Sequence, residues 1–269
     1  MTSTKRIFSG QDLDLNGIST ALEETGCVRI NGLFKGPALD QIYHWAKTAF
    51  AQLDQEIQSN SLPPDFKAYF DLVPHMINHI PSGRFGHFQQ SPWLIYQLFL
   101  SSALPEILKH IYQGSFLYSG LHSVVRRQTP SQPRWYTGFH QDGHFLNPDW
   151  KFLHCWSPLM ACGIDAPSLE LIPAGLKAIR PSLGKPDQGQ HYYDNRDLDL
   201  ELEILPFFPE QTFWPQILSP GDALFYDSYC LHRTYVTPTM TEPRYNLEMR
   251  FLPDLELPPG IRDLGFIRV

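Results

Sequence analysis

Residues 139–146 read FHQDGHFL, with His140, Asp142 and His144 at alternate positions among large apolar side chains. If this stretch is an extended strand, alternate side chains point to one face, so His140 and Asp142 lie side by side. An imidazole and a carboxylate on one face can provide two ligands to a divalent metal ion. His144 would lie roughly 13 Å from His140 along such a strand, too far to bind the same ion. We therefore expect His144 to have a packing role or to contact substrate.

A third ligand has to come from elsewhere in the chain, and His232 is the candidate. It lies in PGDALFYDSYCLHRTYV, residues 220–236, after a Pro-Gly-Asp turn and the predicted strand ALFYD. Two histidines and one carboxylate form the facial triad of non-haem Fe(II) oxygenases, which leaves coordination positions open. The HxD spacing also occurs in purely structural contexts, so the surrounding sequence has to carry the interpretation.

The stretch RYNLEMRF, residues 244–251, alternates strictly between polar and apolar residues. Arg244, Glu248 and Arg250 share a face with Asn246, and this face meets either water or a polar cavity. Arginine presents a fork of donors that suits a carboxylate. We expect residues 233–243 to reverse the chain so that Arg244 lies beside the distal histidine. Arg250 would then lie far from it and pair with an acid elsewhere.

The rest of the chain predicts helices packed outside a β core. The apolar spacing after Pro37 predicts a helix to about residue 58, and residues 93–113 form a second helical patch. From residue 115 onward, short runs rich in Val, Tyr, Phe and Trp alternate with Pro/Gly turns, as in an antiparallel sandwich or barrel. We expect one domain over 1–269, helical over about 1–115 and β over about 116–255.

Composition excludes several functional classes. The chain has 269 residues, 42% of them hydrophobic, and a net charge of −7, with no basic run. Nucleic acid and membrane surfaces are therefore unexpected partners. The sequence does not distinguish a monomer from a homo-oligomer. The N-terminus lacks the apolar stretch of a signal peptide, and the four cysteines form no CxxC pair. These features predict free thiols and a cytoplasmic protein.

Taken together, FHQDGHF, the segment LHCWSPLMACGIDAPSLELIPAGLKAIRP, the segment containing His232 and RYNLEMRF resemble the phytanoyl-CoA dioxygenase-like family. ALEETGCVRINGLFKGPALDQI near the N-terminus is also similar to that family, while residues 59–115 and 183–218 are the least similar. The resemblance implies a double-stranded β-helix (jelly-roll) core and a dioxygenase that uses Fe(II), 2-oxoglutarate and O2. One departure is the ending Ala174-Gly175-Leu176-Lys177, where the family usually has PGSHK. We expect that loop to lie towards the substrate.

Carried over residue by residue, the resemblance implies His140, Asp142 and His232 as iron ligands and Arg244 as the anchor of 2-oxoglutarate. Trp156 is a packing residue on general grounds, and only the resemblance makes it a candidate cofactor contact. Gln128, which follows Arg126 and Arg127, is a further candidate cofactor contact, although a solvated pair of arginines is the simpler interpretation. Related halogenases have a small residue in place of the aspartate. The carboxylate of Asp142 therefore favours hydroxylation of an unactivated C–H, or a desaturation or cyclisation.

Two other functions remain compatible with the sequence. One is a jelly-roll protein that binds or senses a metal or carboxylate without turnover, and the other is a cupin-like metalloenzyme that does not use 2-oxoglutarate. For an oxygenase, the many aromatic residues favour a small-molecule substrate, such as a secondary metabolite or an amino-acid-like compound. Residues 185–215 form either a lid over the site or a surface excursion that covers a sheet edge. His75 and His79 have helical metal-ligand spacing, but Pro74 and Pro81 argue against a helix there.

Overall fold

The computed structural model describes residues 5–72, 78–81, 91–120, 122–132, 136–144, 146, 150–180, 204–254 and 266–269. His75 and residues 181–203, which include most of the predicted lid, lie outside these ranges, and His79 lies in a strand. No helix within the described ranges is long and apolar enough to cross a membrane.

Helices dominate the N-terminal part of the chain. Their bounds are α1 (Leu15–Thr25), α2 (Pro37–Gln58), α3 (Pro64–Leu72), α4 (Ser91–Leu100) and α5 (Leu104–Tyr112). The helix predicted after Pro37 is confirmed as α2, which buries residues spaced three or four apart from Leu39 to Leu53. The helical patch at 93–113 is two helices. The break follows from Ser102, whose hydroxyl accepts the Leu104 N–H at 3.2 Å, and from Pro105 in the first turn of α5.

Strands form two sheets in the described part of the chain. Their bounds are β1 (Ile7–Ser9), β2 (Cys27–Asn31), β3 (His79–Pro81), β4 (Phe116–Ser119), β5 (Val124–Gln128), β6 (Leu153–Pro158), β7 (Ser168–Ile172), β8 (Trp214–Pro215), β9 (Ala223–Asp227), β10 (Leu231–Tyr235), β11 (Arg244–Pro253) and β12 (Phe266–Arg268). The nine-stranded sheet has the order β1-β2-β9-β6-β11-β4-β12, with β5 also on β11 and β3 on β5. The three-stranded sheet has the order β10-β7-β8. Because β1, β2, β3 and β12 join the large sheet, it extends beyond the predicted β region of 116–255.

The strand β11 separates the two interiors of the molecule. Its apolar face, which includes Tyr245 and Phe251, packs into a core shared with the helices. Its polar face, from Arg244 to Arg250, is also buried. A second apolar cluster, containing Trp156 of the large sheet and Leu171 of the small sheet, lies between the two sheets. The polar face of β11 therefore lines the space between the sheets and does not face water.

The predicted hairpin between His232 and Arg244 is wrong. β10 pairs with β7 in the small sheet, whereas β11 pairs with β4, β5 and β6 in the large sheet. The intervening chain crosses from one sheet to the other, and the N–H groups of Thr241 and Glu242 both donate to the Asp165 carbonyl. Long-range pairing therefore overrides the local reversal, and the position of Arg250 does not follow from hairpin register.

The segments that flank the small sheet pack on other elements. β8 pairs with the edge of β7, so the described end of the 185–215 segment covers a sheet edge. The loop over 174–177 packs on the end of α1, where the Gly175 N–H donates to Thr25 O at 3.0 Å. Lys177 donates to the Glu23 carbonyl in the same place. The loop that departs from the family pattern is therefore anchored on a helix end.

Candidate metal centre

His140 and His232 are brought together by main-chain pairing. They form an isolated antiparallel bridge, in which each N–H donates to the other residue's carbonyl at 3.0 and 3.1 Å. Directly opposed residues project their side chains in the same direction, and the two ring centroids are 4.1 Å apart. Two residues distant in sequence thus form one imidazole pair.

Asp142 reaches this pair through a turn and not through a strand. Residues Asp142–His144 form a 3-10 turn, in which the Gly143 N–H donates to Ser228 O at 3.0 Å. The predicted extended strand is therefore wrong beyond His140, although the expected convergence of His140 and Asp142 is present. Because the chain turns here, the distance of about 13 Å expected between His140 and His144 no longer applies. His144 is exposed and does not belong to the group of potential metal ligands formed by His140, Asp142 and His232.

Three acceptor atoms converge at this point. Asp142 Oδ1 lies 3.3 Å from His140 Nε2 and 3.7 Å from His232 Nε2. The opposite ring nitrogens lie near main-chain carbonyls, with His140 Nδ1 2.8 Å from Gly138 O and His232 Nδ1 3.1 Å from Cys230 O. Because Nδ1 must carry the proton to donate to a carbonyl, the Nε2 lone pairs point towards the carboxylate oxygen. We call these three residues the metal triad.

Neither Asp142 nor His232 carries a proton that would relieve the repulsion between the lone pairs of these atoms. Burial lowers the pKa of His232 to about 3, so its imidazole is neutral at neutral pH. Burial alone would raise the pKa of Asp142, but the electrostatic attraction of the groups around it, which include the cation Arg250, outweighs burial and holds the pKa well below its ordinary value. A carboxylate that faces two imidazole lone pairs is stabilised by a cation bound to all three, and nitrogen and oxygen donors suit a divalent transition metal.

Arg244 is a buried cation that forms no ion pair within the described residues. Only 2% of its surface is exposed. Nη1 donates to Ser168 O at 3.2 Å, and the guanidinium lies 5.2 Å from the centre of the Trp156 ring. Nε has no hydrogen-bond partner in the described ranges. Burial, with a contribution from Arg126, lowers the pKa of Arg244 to about 10, so it remains charged at neutral pH. A buried cation without a counter-ion suggests an anionic ligand.

Two further candidate residues also carry unpartnered donors. Gln128 is paired with Arg244 across β5 and β11 and therefore shares its face. Gln128 Nε2 and Trp156 Nε1 are both buried and lack a hydrogen-bond partner among the described residues, as does the whole side-chain amide of Asn246. Unsatisfied buried groups of this kind cost about 1–3 kcal/mol each, so several on one face indicate a ligand or water site.

The two arginines before Gln128 do not form a solvated pair. Arg126 faces the space between the sheets, where Nη1 lies 3.3 Å from Glu248 Oε2. Arg127 faces the helices, where Nη2 donates to Asp54 Oδ1 at 2.8 Å. Each arginine thus has an acidic partner, on opposite sides of the sheet.

Sequence reasoning missed the residues around the second oxygen of Asp142. His154 Nδ1 lies 3.1 Å from Asp142 Oδ2, and Arg250 Nη2 lies 3.4 Å from the same atom. Arg250 also pairs with Glu248, at 2.8 Å from Nη2 to Oε1. The expectation that Arg250 lies far from the site is therefore wrong. The alternation of β11 put Arg250 and Glu248 on the correct face, but no local pattern singled out His154.

No family model matches the chain, and no curated protein matches it. Solved structures do. The epimerase SnoN from nogalamycin biosynthesis, solved with Fe3+, alpha ketoglutarate and nogalamycin RO, is 12% identical over 93% of this chain and 88% of that one, with a TM-score of 0.55. AviO1 from Streptomyces viridochromogenes is 13% identical over 92% and 98%, with a TM-score of 0.57. The carbocyclase SnoK, an alpha ketoglutarate-dependent enzyme, is 13% identical over 91% and 85%, with a TM-score of 0.50.

This similarity covers most of the chain and concerns the fold. It confirms the prediction of a mainly β protein with flanking helices and a jelly-roll core. At identities of 11–15%, the reaction and ligands of the compared enzymes do not transfer to this chain by similarity alone.

Proposed function

We propose that the protein is an Fe(II)- and 2-oxoglutarate-dependent oxygenase of the phytanoyl-CoA dioxygenase-like kind, with His140, Asp142 and His232 as the iron ligands. The observation that carries the proposal is the convergence of three acceptor atoms, Nε2, Nε2 and Oδ1, within one jelly-roll interior. This interior also holds Arg244, a buried cation that forms no ion pair with any residue the structure describes. The solved structures of similar fold include enzymes whose names state dependence on alpha ketoglutarate.

Arg244 is the proposed anchor for the far carboxylate of 2-oxoglutarate. Its Nη1 bonds to the carbonyl of Ser168, and Leu171, on the same strand, is paired with His232. Three residues of a strand span roughly 10 Å, which a short diacid can bridge between a metal centre and an arginine. Gln128 and Trp156 each have one N–H donor without a partner in the part of the chain that the structure describes, as expected of groups that line the binding site of an anion.

The bound iron and 2-oxoglutarate, with O2 as the oxidant, would supply the oxidising chemistry, and succinate and CO2 would be the co-products. The protein's own residues hold and orient the reactants. Main-chain carbonyls fix both histidines with Nε2 towards the ligand site, and burial keeps His232 unprotonated. Burial of Asp142 and Arg244 also limits the access of water.

We further propose hydroxylation of an unactivated C–H in a small molecule, such as a secondary metabolite or an amino-acid-like compound. Asp142 provides a carboxylate where halogenases have a small residue. SnoN and SnoK are both named for nogalamycin biosynthesis, SnoN as an epimerase and SnoK as a carbocyclase. Enzymes of similar fold are thus named for outcomes other than hydroxylation.

The test is iron-dependent conversion of 2-oxoglutarate to succinate by the purified protein. His140→Ala, Asp142→Ala and His232→Ala should each abolish it in a folded protein, while His144→Ala, adjacent to the triad but outside it, should retain metal binding. Wild-type turnover in any triad variant would refute the ligand assignment. Metal binding without a response to 2-oxoglutarate would indicate a cupin-like metalloenzyme, and binding of both without turnover would indicate a sensing protein.

A further inference from the structure

Asp142 belongs to two overlapping clusters of metal-binding side chains. One is the metal triad, and the other consists of Asp142, His154 and Glu248, which we call the inner cluster. In each cluster the ligand atoms lie within 4.8 Å of one another. Oδ1 of Asp142 faces the triad, and Oδ2 faces the inner cluster.

Arg250 bonds to every member of the inner cluster. Its Nε donates to His154 Nδ1 at 3.1 Å, and its Nη2 donates to Glu248 Oε1 at 2.8 Å and to Asp142 Oδ2 at 3.4 Å. The remaining nitrogen, Nη1, donates to the carbonyl of His122. The guanidinium thus lies where a metal ion held by the inner cluster would contact the same three side chains.

We propose that Arg250 directs the metal ion to the triad. It does so by hydrogen bonding to the second oxygen of Asp142 and by occupying the position that a metal ion would take in the inner cluster. This inference rests on the proposed role of the triad in binding iron. Arg250 is accordingly a positioning residue that acts on the metal through Asp142.

Two physical effects support this role. An arginine is always protonated, so a second cation in the inner cluster would be opposed by its charge. A carboxylate whose Oδ2 accepts a charge-assisted hydrogen bond is also held against rotation, which presents Oδ1 alone to the two imidazoles. Without Arg250, both Asp142 and Glu248 can turn towards a metal bound between them and His154. The partner groups of metal ligands commonly change metal affinity 10- to 100-fold when they are removed.

Co(II) binding to the metal-free protein tests the proposal without turnover, because Co(II) occupies nitrogen and oxygen sites of this type and reports its ligands in visible absorption. In the wild-type protein we expect one Co(II) site that His140→Ala abolishes. Arg250→Met should weaken that site roughly 10- to 100-fold and change its spectrum. The double variant His140→Ala/Arg250→Met should still bind Co(II), now through the inner cluster, and adding Glu248→Gln should remove this binding.

Arg126→Met is the matched control. It removes a cation that pairs with the other oxygen of Glu248, at 3.3 Å, and leaves the guanidinium of Arg250 in place. Its Co(II) affinity should remain within about threefold of wild type, compared with the 10- to 100-fold loss expected for Arg250→Met. If Arg250→Met does not fold, Arg250→Lys retains the charge without the fork and should still weaken the site several-fold.

Unchanged affinity and spectrum in the Arg250 variants, or equal losses in the Arg126 and Arg250 variants, would overturn the proposal. If the double variant His140→Ala/Arg250→Met binds no Co(II), the claim that Arg250 occupies the metal position of the inner cluster is wrong. Failure of the wild-type protein to bind Co(II), or wild-type binding that survives His140→Ala, would instead refute the triad and with it the proposed function.

Discussion

Replacing Arg244 with methionine should change stability and ligand affinity in opposite directions. The pKa of Arg244 is lowered from 12.5 to about 10, chiefly by burial. Since one pKa unit corresponds to 1.36 kcal/mol, keeping this side chain charged costs the folded, ligand-free protein about 3 kcal/mol. Methionine removes this cost but loses the hydrogen bond to Ser168, which is worth about 1 kcal/mol. The ligand-free Arg244→Met protein should therefore be up to about 2 kcal/mol more stable than wild type.

The same substitution should weaken 2-oxoglutarate binding about 100-fold. A charge-assisted, bidentate contact contributes about 3 kcal/mol, and each 1.4 kcal/mol is a factor of ten in affinity. Arg244→Lys should recover only part of the loss, because an ammonium group lacks the fork. Urea unfolding without ligand measures the stability, and isothermal titration with 2-oxoglutarate in the presence of a redox-inert metal measures the affinity.

Arg250→Met is the contrast for the stability measurement. Arg250 pairs with buried Glu248, so its removal leaves a carboxylate with one cation fewer and should destabilise the protein by about 3–5 kcal/mol. If Arg244→Met destabilises the ligand-free protein as much as Arg250→Met, or leaves the affinity for 2-oxoglutarate unchanged, Arg244 does not bind the carboxylate of 2-oxoglutarate as proposed.

Three other predictions concern stability and the cysteines. Burial raises the pKa of Asp227 from 3.8 to about 6, so the folded protein is more stable while this carboxyl is protonated and loses that stability as pH rises through 6. Relative to Asp227→Asn, the wild-type protein should lose about 1.4 kcal/mol of unfolding free energy between about pH 5 and 7.5, measured by urea unfolding. Parallel pH profiles of the two proteins would contradict this. Gly175→Ala should destabilise the folded protein by about 2 kcal/mol or more, because φ of Gly175 is +58° and the added Cβ would lie 2.1 Å from Glu24 O. An unchanged melting temperature would refute the packing of this loop on α1. All four cysteines are free and buried, so a thiol reagent should react with four groups only after denaturation, and a disulfide found by mass spectrometry without reductant would disprove it.

Sequence patterns predicted which face a side chain takes better than which neighbour it meets. The alternation of β11 correctly put Arg244, Glu248 and Arg250 on one face, because side-chain direction in a strand is a local property. The pairing partner of a strand is not local, and the expected hairpin with β10 failed because β10 belongs to the other sheet. The role of Arg250 was missed for that reason.

The HxD stretch illustrates the same limit at shorter range. Convergence of His140 and Asp142 was predicted from an extended strand, but a 3-10 turn produces it, with Gly143 bonded to the carbonyl of Ser228. That bond joins positions far apart in sequence, so no pattern within residues 139–146 could indicate it. The resemblance of several separated motifs to one family pointed to the jelly-roll core, for which local periodicity alone left a sandwich or barrel open.

The main-chain bridge between His140 and His232 has a consequence for chain entropy. A metal ion bound by both side chains would cross-link two points of the backbone that are separated by residues 141–231. Closing a long segment at its two ends reduces the number of conformations open to it whenever the rest of the molecule loosens. The ion would then act as a reversible clip on this whole segment, so that its removal would be felt in cooperative unfolding far beyond the three side chains that hold it.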